Sequence, residues 1–305
     1  MDGEQAMQRE IEDLLRRKIG LDPDVIGARY WVRAVKKGMR MSKIQNLSDY
    51  LEALKTSPAL FEALVESVVV FETSFFHNRA AFAFLRQWVA QAWVRPERKR
   101  PNAKESKRKL RVLSVPCATG EEPYSIAITL LEAGLSLNDF QIDAVDISAI
   151  AISKAKTGTY SPYTFRRQGY RQDDKYFSLS SPKDSIKSRR TAQRYLIAQS
   201  ICQSVSFIQG NVLDAELLNN RDSYDIIFCR NLLIYFDQTA RDRTTLLLTQ
   251  LLQPRGLLFV GRTEAALVDS TLYKAVPYPQ TFAYRKQAVH LQIDSQLAAS
   301  EQVSV

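Results

Sequence analysis

The chain has 305 residues, of which 45% are hydrophobic and 25% are charged, as is usual for a soluble globular protein. Its formal net charge of +9 at pH 7 favours an acidic partner, such as nucleic acid, anionic lipid or an acidic protein surface. No apolar run approaches membrane-spanning length, so the sequence argues against membrane insertion.

The cysteine and histidine residues indicate the cellular compartment and argue against a metal site. Cys117, Cys202 and Cys229 are odd in number and widely spaced, which predicts a reducing, cytoplasmic location without a disulfide framework. The only histidines are His77 and His290, and no Cys-x-x-Cys occurs. We therefore expect no zinc site and no other metal centre.

Residues 1–95 are expected to form a small, all-helical N-terminal domain. Apolar residues recur at helical spacing in 7–19, and further helices are predicted over 25–39, 50–54 and 59–70. Helix 25–39 has one basic face, which is either a surface for an acidic partner or an ordinary solvated face. The charge pattern alone leaves both interpretations open.

Residues 71–85 (FETSFFHNRAAFAFL) are rich in aromatic side chains, and a helix packed in the core is the default interpretation. Polar residues such as Thr73 and His77 are interleaved with them, so the segment is alternatively the wall of a pocket. The next stretch, 96–110, is basic, has few apolar residues and predicts an exposed linker. Nucleic-acid binding is less favoured there, because the stretch has no aromatic residue to stack on bases.

From residue 110 onward, short apolar runs alternate with helical patterns. Strands are predicted over 110–115, 140–145, 205–209, 224–229, 256–260 and 281–284, with helices over 122–135, 148–157 and 237–253. The alternation predicts an α/β domain over 111–286, in which a mainly parallel sheet is covered on both faces. Residues 160–194 interrupt it and predict an inserted subdomain, whereas 287–305 are expected to be a weakly ordered tail.

The segment 114–125 (SVPCATGEEPYS) is predicted to be the loop between the first strand and its helix. Such loops bind nucleotide-like ligands in α/β proteins. This one has a single glycine, Gly120, and two carboxylates, Glu121 and Glu122, which disfavour a phosphate. A nucleoside with a cationic group fits better, and S-adenosylmethionine is such a ligand. We expect Glu122 to face the ligand and Glu121 to cap the helix.

Polar residues also follow three later strands, at the edge of the sheet where ligands bind. Asp146 closes the second strand and suits ribose hydroxyls, although a helix N-cap is the alternative interpretation. Asn211 offers a donor and an acceptor to an adenine edge, or is a turn residue after Gly210. Arg230 and Asn231 directly follow a hydrophobic strand, where a role in the site is favoured.

The sequence contains no evident catalytic triad and no P-loop. A methyl acceptor that is already ionised needs no general base. A glutamate side chain, with an unperturbed pKa of about 4.3, is such an acceptor at neutral pH. Alignment of the acceptor oxygen, the methyl carbon and the sulfonium then supplies the catalysis, which reaches about 7–11 kcal/mol in favourable cases.

Three blocks of sequence resemble the chemotaxis protein methyltransferase (CheR) family: 118–125 (ATGEEPYS), 228–237 (FCRNLLIYFD) and 72–76 (ETSFF). The resemblance extends over residues 47–284 and implies a Rossmann-like class I methyltransferase domain, with a helical N-terminal domain and an inserted antiparallel subdomain. The implied reaction is methyl-ester formation on glutamates in the cytoplasmic helices of chemoreceptors. S-adenosyl-L-methionine is the implied methyl donor, and S-adenosyl-L-homocysteine is the product.

The resemblance also implies the site residues. The positions that match cofactor contacts in the family, with the neighbouring Val212 added, are Thr73, Glu122, Asp146, Asn211, Val212, Arg230 and Asn231. Tyr235 matches a tyrosine close to the methyl group and is a candidate catalytic residue. His77 stands where the family usually has an arginine on the carboxylate side of the cofactor, so it is a candidate for both binding and catalysis.

Two further features separate the chain from the family pattern. Phe71 stands where the family usually has asparagine, and no glycine lies between Arg171 and Gln209. Members that dock a receptor's C-terminal peptide resemble one another in a glycine-containing loop there. We therefore predict that the chain does not depend on such a peptide, and tight, saturable capture of a receptor C-terminal pentapeptide would contradict this.

The resemblance implies that helix 25–39 faces the acidic helices of a receptor. We expect a monomer that binds no nucleic acid. Two alternatives stay open: a methyltransferase that acts on another regulatory or pilus-motility receptor, and a non-catalytic binding module.

Overall fold

The computed structural model describes residues 3–71, 73–94, 108–166, 175–180, 194–214, 216–219 and 221–287. The predicted linker 96–110 and the predicted tail 287–305 lie almost entirely outside these ranges. Glu72 and most of the predicted insertion 160–194 also lie outside them.

The N-terminal region is helical, as predicted. Its helices are α1 (Gly3–Ile19), α2 (Pro23–Ile26), α3 (Ala28–Ser42), α4 (Leu47–Thr56) and α5 (Pro58–Val68). Their apolar faces meet in one core, in which Ile11, Leu15, Trp31, Leu54 and Leu64 are almost fully buried. The prediction of one helix over 25–39 was wrong, because Gly27 has φ of +87° and separates α2 from α3.

Short polar side chains begin these helices. Asn46 caps α4 by accepting the N–H of Asp49 at 2.8 Å. Ser57 caps α5 by accepting the N–H of Leu60 at 3.3 Å, and Pro58 occupies the first helical position. These caps satisfy backbone donors that would otherwise lack partners, and they fix where each helix starts.

The aromatic segment 71–85 is not one helix. Helix α6 (Arg79–Val89) begins only after Phe76 and Asn78, which have φ of +51° and +68°. Phe75 nevertheless packs in the core, where its ring stacks on Phe165 with centroids 4.7 Å apart. Thr73 and His77 line a cavity, as the alternative interpretation as a pocket wall predicts.

The second half of the chain forms a seven-stranded sheet of order β6-β2-β1-β7-β8-β10-β9. Its strands are β1 (Leu110–Ser114), β2 (Phe140–Asp146), β6 (Val205–Gln209), β7 (Tyr224–Cys229), β8 (Leu252–Val260), β9 (Tyr273–Ala275) and β10 (Ala283–Lys286). The first five in spatial order are parallel, and β10 is antiparallel to β8 and β9. The mainly parallel sheet is confirmed; β9 was not predicted.

Helices cover both faces of this sheet. The helices that pack on its strands are α7 (Glu121–Glu132), α8 (Ala149–Thr157) and α11 (Gln238–Leu251), whereas the short helices α9 (Tyr163–Arg166) and α10 (Gln199–Cys202) come between β3 and β6 in the chain. All residues of the central strand β7 are buried, because apolar cores lie on both of its faces. The chain runs from β1 outward through β2 to β6 and then crosses to β7. The direction of winding therefore reverses between β1 and β7, where ligands bind in such sheets.

A second sheet of order β3-β5-β4 is antiparallel; it overlaps the predicted insertion 160–194 and extends three residues beyond its end. It consists of β3 (Thr159–Tyr160), β4 (Phe177–Ser180) and β5 (Arg194–Ile197). The predicted α/β fold with an inserted antiparallel subdomain is thereby confirmed. In the described part of the chain, no helix is both long and apolar enough to cross a membrane.

Backbone hydrogen bonds join the helical region to the turn after β7. The N–H of Asp22 donates to the carbonyl of Tyr235 at 2.8 Å, and the N–H of Asp237 donates to Gly20 at 2.9 Å. Gly20 has φ of +70°, and a Cβ there would lie 2.4 Å from that of Ala240. A glycine therefore permits this close approach, which brings the helical region to the edge of the sheet.

Candidate active site at the carboxyl edge of the sheet

A cavity of about 500 Å³ lies at the carboxyl ends of the parallel strands and is closed on one side by the helical region. All the predicted site residues line it: Thr73, His77, Glu122, Asp146, Asn211, Val212, Arg230, Asn231 and Tyr235. Residues that were not singled out, including Ser74 and Tyr163, also line it. Small-molecule sites are usually about 300–1,000 Å³, so the cavity has the size of a ligand site.

The loop after β1 is shaped by Gly120 and by a buried carboxylate. Gly120 has φ of +94°, and a Cβ there would lie 2.9 Å from Ala155 of α8. Glu121 begins α7 and accepts the hydroxyl of Thr119 at 2.6 Å. Glu121 is only 2% exposed, and burial raises the pKa of its carboxyl. It therefore belongs to the packing of the loop, which leaves Glu122 to face the cavity.

Glu122, Arg230 and His77 form one hydrogen-bonded cluster. The Nη1 atom of Arg230 lies 3.2 Å from a carboxylate oxygen of Glu122 and donates to the carbonyl of His77 at 2.8 Å. Its Nη2 atom lies 3.1 Å from Nδ1 of His77, and the hydroxyl of Ser114 donates to Glu122 at 2.9 Å. Burial raises the pKa of Glu122, and the charge of Arg230 opposes that rise. His77 therefore contacts the guanidinium that lines the cavity.

We expect Glu122→Ala to lower the free energy of unfolding by about 3 kcal/mol, because it leaves the guanidinium of Arg230 buried without its carboxylate. Urea denaturation measures this change. The matched control is Glu132→Ala on the same helix, whose pair with Arg86 is exposed and 3.9 Å long. The control is expected to cost less than about 1 kcal/mol. Equal losses for the two variants would contradict the structural role of the buried pair.

Asp146 fixes the loop after β1 from the end of β2. One carboxylate oxygen accepts the N–H of Ala118 at 2.8 Å, and the other accepts the N–H of Ser148 at 2.9 Å. The side chain is 5% exposed; burial raises its pKa, and the two backbone hydrogen bonds partly offset that rise. Each oxygen keeps a further lone pair, so the carboxylate can also accept from a ligand's hydroxyls.

Asn211 connects the helical region to the loop after β6. Its amide nitrogen donates to the carbonyl of Lys18 at 2.7 Å, and its oxygen accepts the N–H of Leu213 at 3.0 Å. These bonds leave one N–H and one lone pair of the amide for a ligand. The neighbouring Val212 is buried in the cavity wall.

The loop after β7 is held by Glu264, a residue that the sequence analysis missed. Its carboxylate accepts the N–H groups of Asn231, Leu232 and Leu233, each at 2.8 Å. It also accepts the N–H of Gly261 at 2.7 Å, and the side chain is fully buried. A carboxylate just beyond the carboxyl end of β8 was the available signal. Glu264 thus fixes the loop that carries Asn231 and leads to Tyr235.

The opening of the cavity has an apolar rim. Val70, Phe71 and Tyr163 line the cavity and are 52%, 37% and 60% exposed. Phe71 is the aromatic residue that replaces the expected asparagine. The rim therefore offers apolar contacts to whatever group approaches a ligand in the cavity.

The walls of the cavity fit a nucleoside ligand that has polar and charged groups. The hydroxyl of Ser74 and the Nε atom of Arg230 are buried and have no hydrogen-bond partner in the described part of the chain. Such orphaned groups are costly unless a ligand satisfies them. The carboxylates of Asp146 and Glu122 disfavour phosphate and suit hydroxyls and a cationic centre. Within the described ranges, no three His, Cys, Asp or Glu residues cluster in a way that could hold a metal ion.

Similarity to known proteins extends over most of the chain. Residues 71–282 match the family model described as CheR methyltransferase, SAM binding domain. The chain is 37% identical over 280 residues to a probable biofilm formation methyltransferase, WspC, of Pseudomonas aeruginosa. The aligned region covers 92% of this chain and 62% of that protein. It is 30% identical over 263 residues to chemotaxis protein methyltransferase 2 of Vibrio cholerae, with 85% of each covered. The chain thus spans about three fifths of the length of the WspC protein.

Proposed function

Because the chain belongs to the CheR family of S-adenosylmethionine-dependent methyltransferases, we propose that it methylates glutamate side-chain carboxylates of methyl-accepting chemoreceptors. The product is a glutamate methyl ester. The observation that carries the proposal is the convergence of the predicted cofactor residues and Tyr235 on one cavity at the switch point of the sheet.

Each wall of the cavity has a separate role in this proposal. Asp146 accepts from the ribose hydroxyls, while Asn211 and Val212 hold the adenine. Arg230 and Thr73 bind the amino-acid end, and His77 holds Arg230 in place. Two observations support this assignment: the unused lone pairs of Asp146 and the orphaned Nε atom of Arg230.

Bound S-adenosylmethionine supplies an electrophilic methyl group on a sulfonium. An acceptor glutamate is ionised at neutral pH, since its unperturbed pKa is about 4.3, and so needs no general base from the protein. Tyr235 and the apolar rim at Phe71 and Tyr163 exclude water and orient the acceptor carboxylate. Orientation of this kind is worth about 7–11 kcal/mol in favourable cases.

The acceptor is proposed to lie in an acidic helical surface of the receptor. Helix α3 carries exposed basic residues, namely Arg29, Arg33, Lys36, Lys37 and Arg40. Ile26, which closely precedes α3, lines the cavity, so the basic helix begins close to the site. Opposite charges favour association and orient the partners, and the effect weakens with salt.

We expect Tyr235→Phe to slow methyl transfer by about tenfold while the affinity for S-adenosylhomocysteine stays unchanged. The reason is that the variant removes one hydroxyl beside the reacting group and keeps the ring that walls the cavity. Turnover assays and calorimetric titration separate the two effects. Tyr278→Phe, which lies outside the cavity lining, is the matched control and should leave both values unchanged. A Tyr235→Phe variant that turns over like the wild type would remove Tyr235 from the chemistry.

The proposed reaction is tested by incubating the protein with tritiated S-adenosylmethionine and membranes from the source cell. Label that base treatment releases as volatile methanol indicates a carboxyl ester. Label that resists base would refute the glutamate acceptor. Absence of both label and calorimetric binding of the cofactor would support the alternative of a non-catalytic module.

A second candidate differs only in the receptor. The identity of 37% with a probable biofilm formation methyltransferase is the observation that supports this candidate, a receptor of a regulatory pathway in place of a chemotaxis receptor. Purified cytoplasmic fragments of the two receptor types, methylated in parallel, distinguish the candidates. Preferential label on the regulatory receptor's fragment would favour the second candidate.

A further inference from the structure

Glu66 connects the helical region to the start of α8. It lies near the end of α5, and its carboxylate accepts two hydrogen bonds from across the boundary. The hydroxyl of Ser148 donates to one oxygen at 2.6 Å, and the N–H of Ile150 donates to the other at 3.1 Å. A carboxylate at a helix N-terminus is stabilised both by these donors and by the helix dipole. Glu66 therefore acts as a cap that comes from another part of the fold.

The residue that Glu66 holds is the one that orients Asp146. The N–H of Ser148 donates to Asp146 at 2.9 Å, and its hydroxyl oxygen accepts the N–H of Ala151 at 2.9 Å. Ser148 thus donates hydrogen bonds to the carboxylates of both Glu66 and Asp146, and it also caps α8. The side chain of Ile147, between Asp146 and Ser148, packs against the apolar core of the helical region. The end of β2 is therefore fixed from the helical side by one polar and one apolar contact.

Glu66 is placed to act through these neighbours and does not touch a ligand itself, because it lies outside the lining of the cavity. Without its carboxylate, the Ser148 hydroxyl and the Ile150 N–H lose their partner, and the turn at 146–148 loses its anchor. Asp146 would then present its free lone pairs in several orientations. A ligand that uses both oxygens would bind less tightly, because the turn must first be ordered.

We propose that Glu66 is a positioning residue for cofactor binding, which holds Asp146 in its ligand-accepting orientation through Ser148. The inference rests on the proposed contact of Asp146 with ribose hydroxyls. It makes the docking of the helical region part of the cofactor site. Cofactor affinity and the contact between α5 and α8 are therefore coupled.

The test is calorimetric titration of the full chain and its Glu66→Ala variant with two ligands. S-adenosylhomocysteine has both the nucleoside and the amino-acid end, whereas methylthioadenosine keeps only the nucleoside end. We expect Glu66→Ala to lower the affinity for both ligands by the same factor, about tenfold, because both contain the ribose. Glu62→Ala, one turn earlier on the exposed face of α5, is the matched control and should bind both ligands like the wild type.

The outcomes separate this inference from the proposed function. Wild-type protein that binds neither ligand contradicts the cofactor site itself. A folded Glu66→Ala variant with lowered thermal stability and unchanged affinity for both ligands overturns the positioning role and leaves Glu66 as a structural cap only. If the alanine variant does not fold, Glu66→Gln is titrated, since it keeps one acceptor oxygen. Glu66→Gln should lower the affinity for both ligands by one common factor, smaller than the factor expected for Glu66→Ala. Unchanged affinity would again overturn the proposal.

Discussion

Replacement of Asp146 by alanine is expected to abolish cofactor binding, with a loss of affinity of at least about 100-fold. The reason is that the carboxylate has two tasks. It is proposed to accept the ribose hydroxyls, and it also accepts the N–H groups of Ala118 and Ser148. Charge-assisted hydrogen bonds are worth about 1.5–3 kcal/mol each. The loss of the two bonds to the ribose hydroxyls therefore lowers the affinity by about 100-fold or more. Calorimetric titration with S-adenosylhomocysteine measures it.

Two further variants keep this prediction specific. Asp146→Asn retains the shape of the side chain and one acceptor oxygen, and we expect an intermediate loss of affinity. Asp139→Asn, which precedes the amino end of β2 and accepts from Ser136 at 2.8 Å, is the matched control and should bind like the wild type. Wild-type affinity in the Asp146→Ala variant would remove Asp146 from the site.

Replacement of Glu264 by alanine is expected to lower the free energy of unfolding by at least about 4 kcal/mol. The substitution leaves the buried N–H groups of Gly261 and Leu233 without their acceptor, together with the partly buried N–H groups of Asn231 and Leu232. An unsatisfied buried donor costs about 1–3 kcal/mol. Without the Glu264 carboxylate, the loop that carries Asn231 is no longer held in place, so we also expect cofactor affinity to fall. Urea denaturation and calorimetric titration measure the two effects.

The control for this prediction is Asp269→Ala, a few residues further along the chain. Asp269 also accepts a backbone N–H, that of Thr271 at 2.8 Å, but it is exposed to solvent. Water replaces an exposed acceptor, so the change in stability should be much smaller. If the two variants lose the same free energy, the buried carboxylate is not what holds the loop.

Much of the fold follows from the apolar pattern of the sequence. The predicted strands 205–209 and 224–229 agree with β6 and β7 residue for residue, because apolar runs flanked by polar residues define buried strands. The break at Gly27 and the late start of α6 depend instead on positive φ angles at Gly27 and Asn78. A single Gly or Asn inside an otherwise helical pattern is often tolerated, so it leaves only a weak local signal of a break. The three residues of β9 are too few to show a period.

Part of the candidate site could also be predicted from the sequence, whereas the rest depends on contacts between residues far apart in the chain. Asp146, Asn211 and Arg230 follow predicted strands, so the rule that parallel strands end at one edge brings them together. Glu264 and Glu66 act at a distance along the chain, on Asn231 and on Ser148. Their partners are backbone N–H groups and a hydroxyl, which have no distinctive sequence pattern. Only the folded chain shows that these carboxylates hold the loops that carry the predicted residues.

The central claim is that one cavity, formed by the carboxyl edge of the sheet and closed by the helical region, holds S-adenosylmethionine with its ribose on Asp146. A crystal structure of the chain with S-adenosylhomocysteine tests it most directly. The account predicts the nucleoside near the ends of β1 and β2, both ribose hydroxyls within hydrogen-bond distance of Asp146, and the carboxylate end beside Arg230. A ligand bound elsewhere, or one whose ribose makes no contact with Asp146, would contradict it.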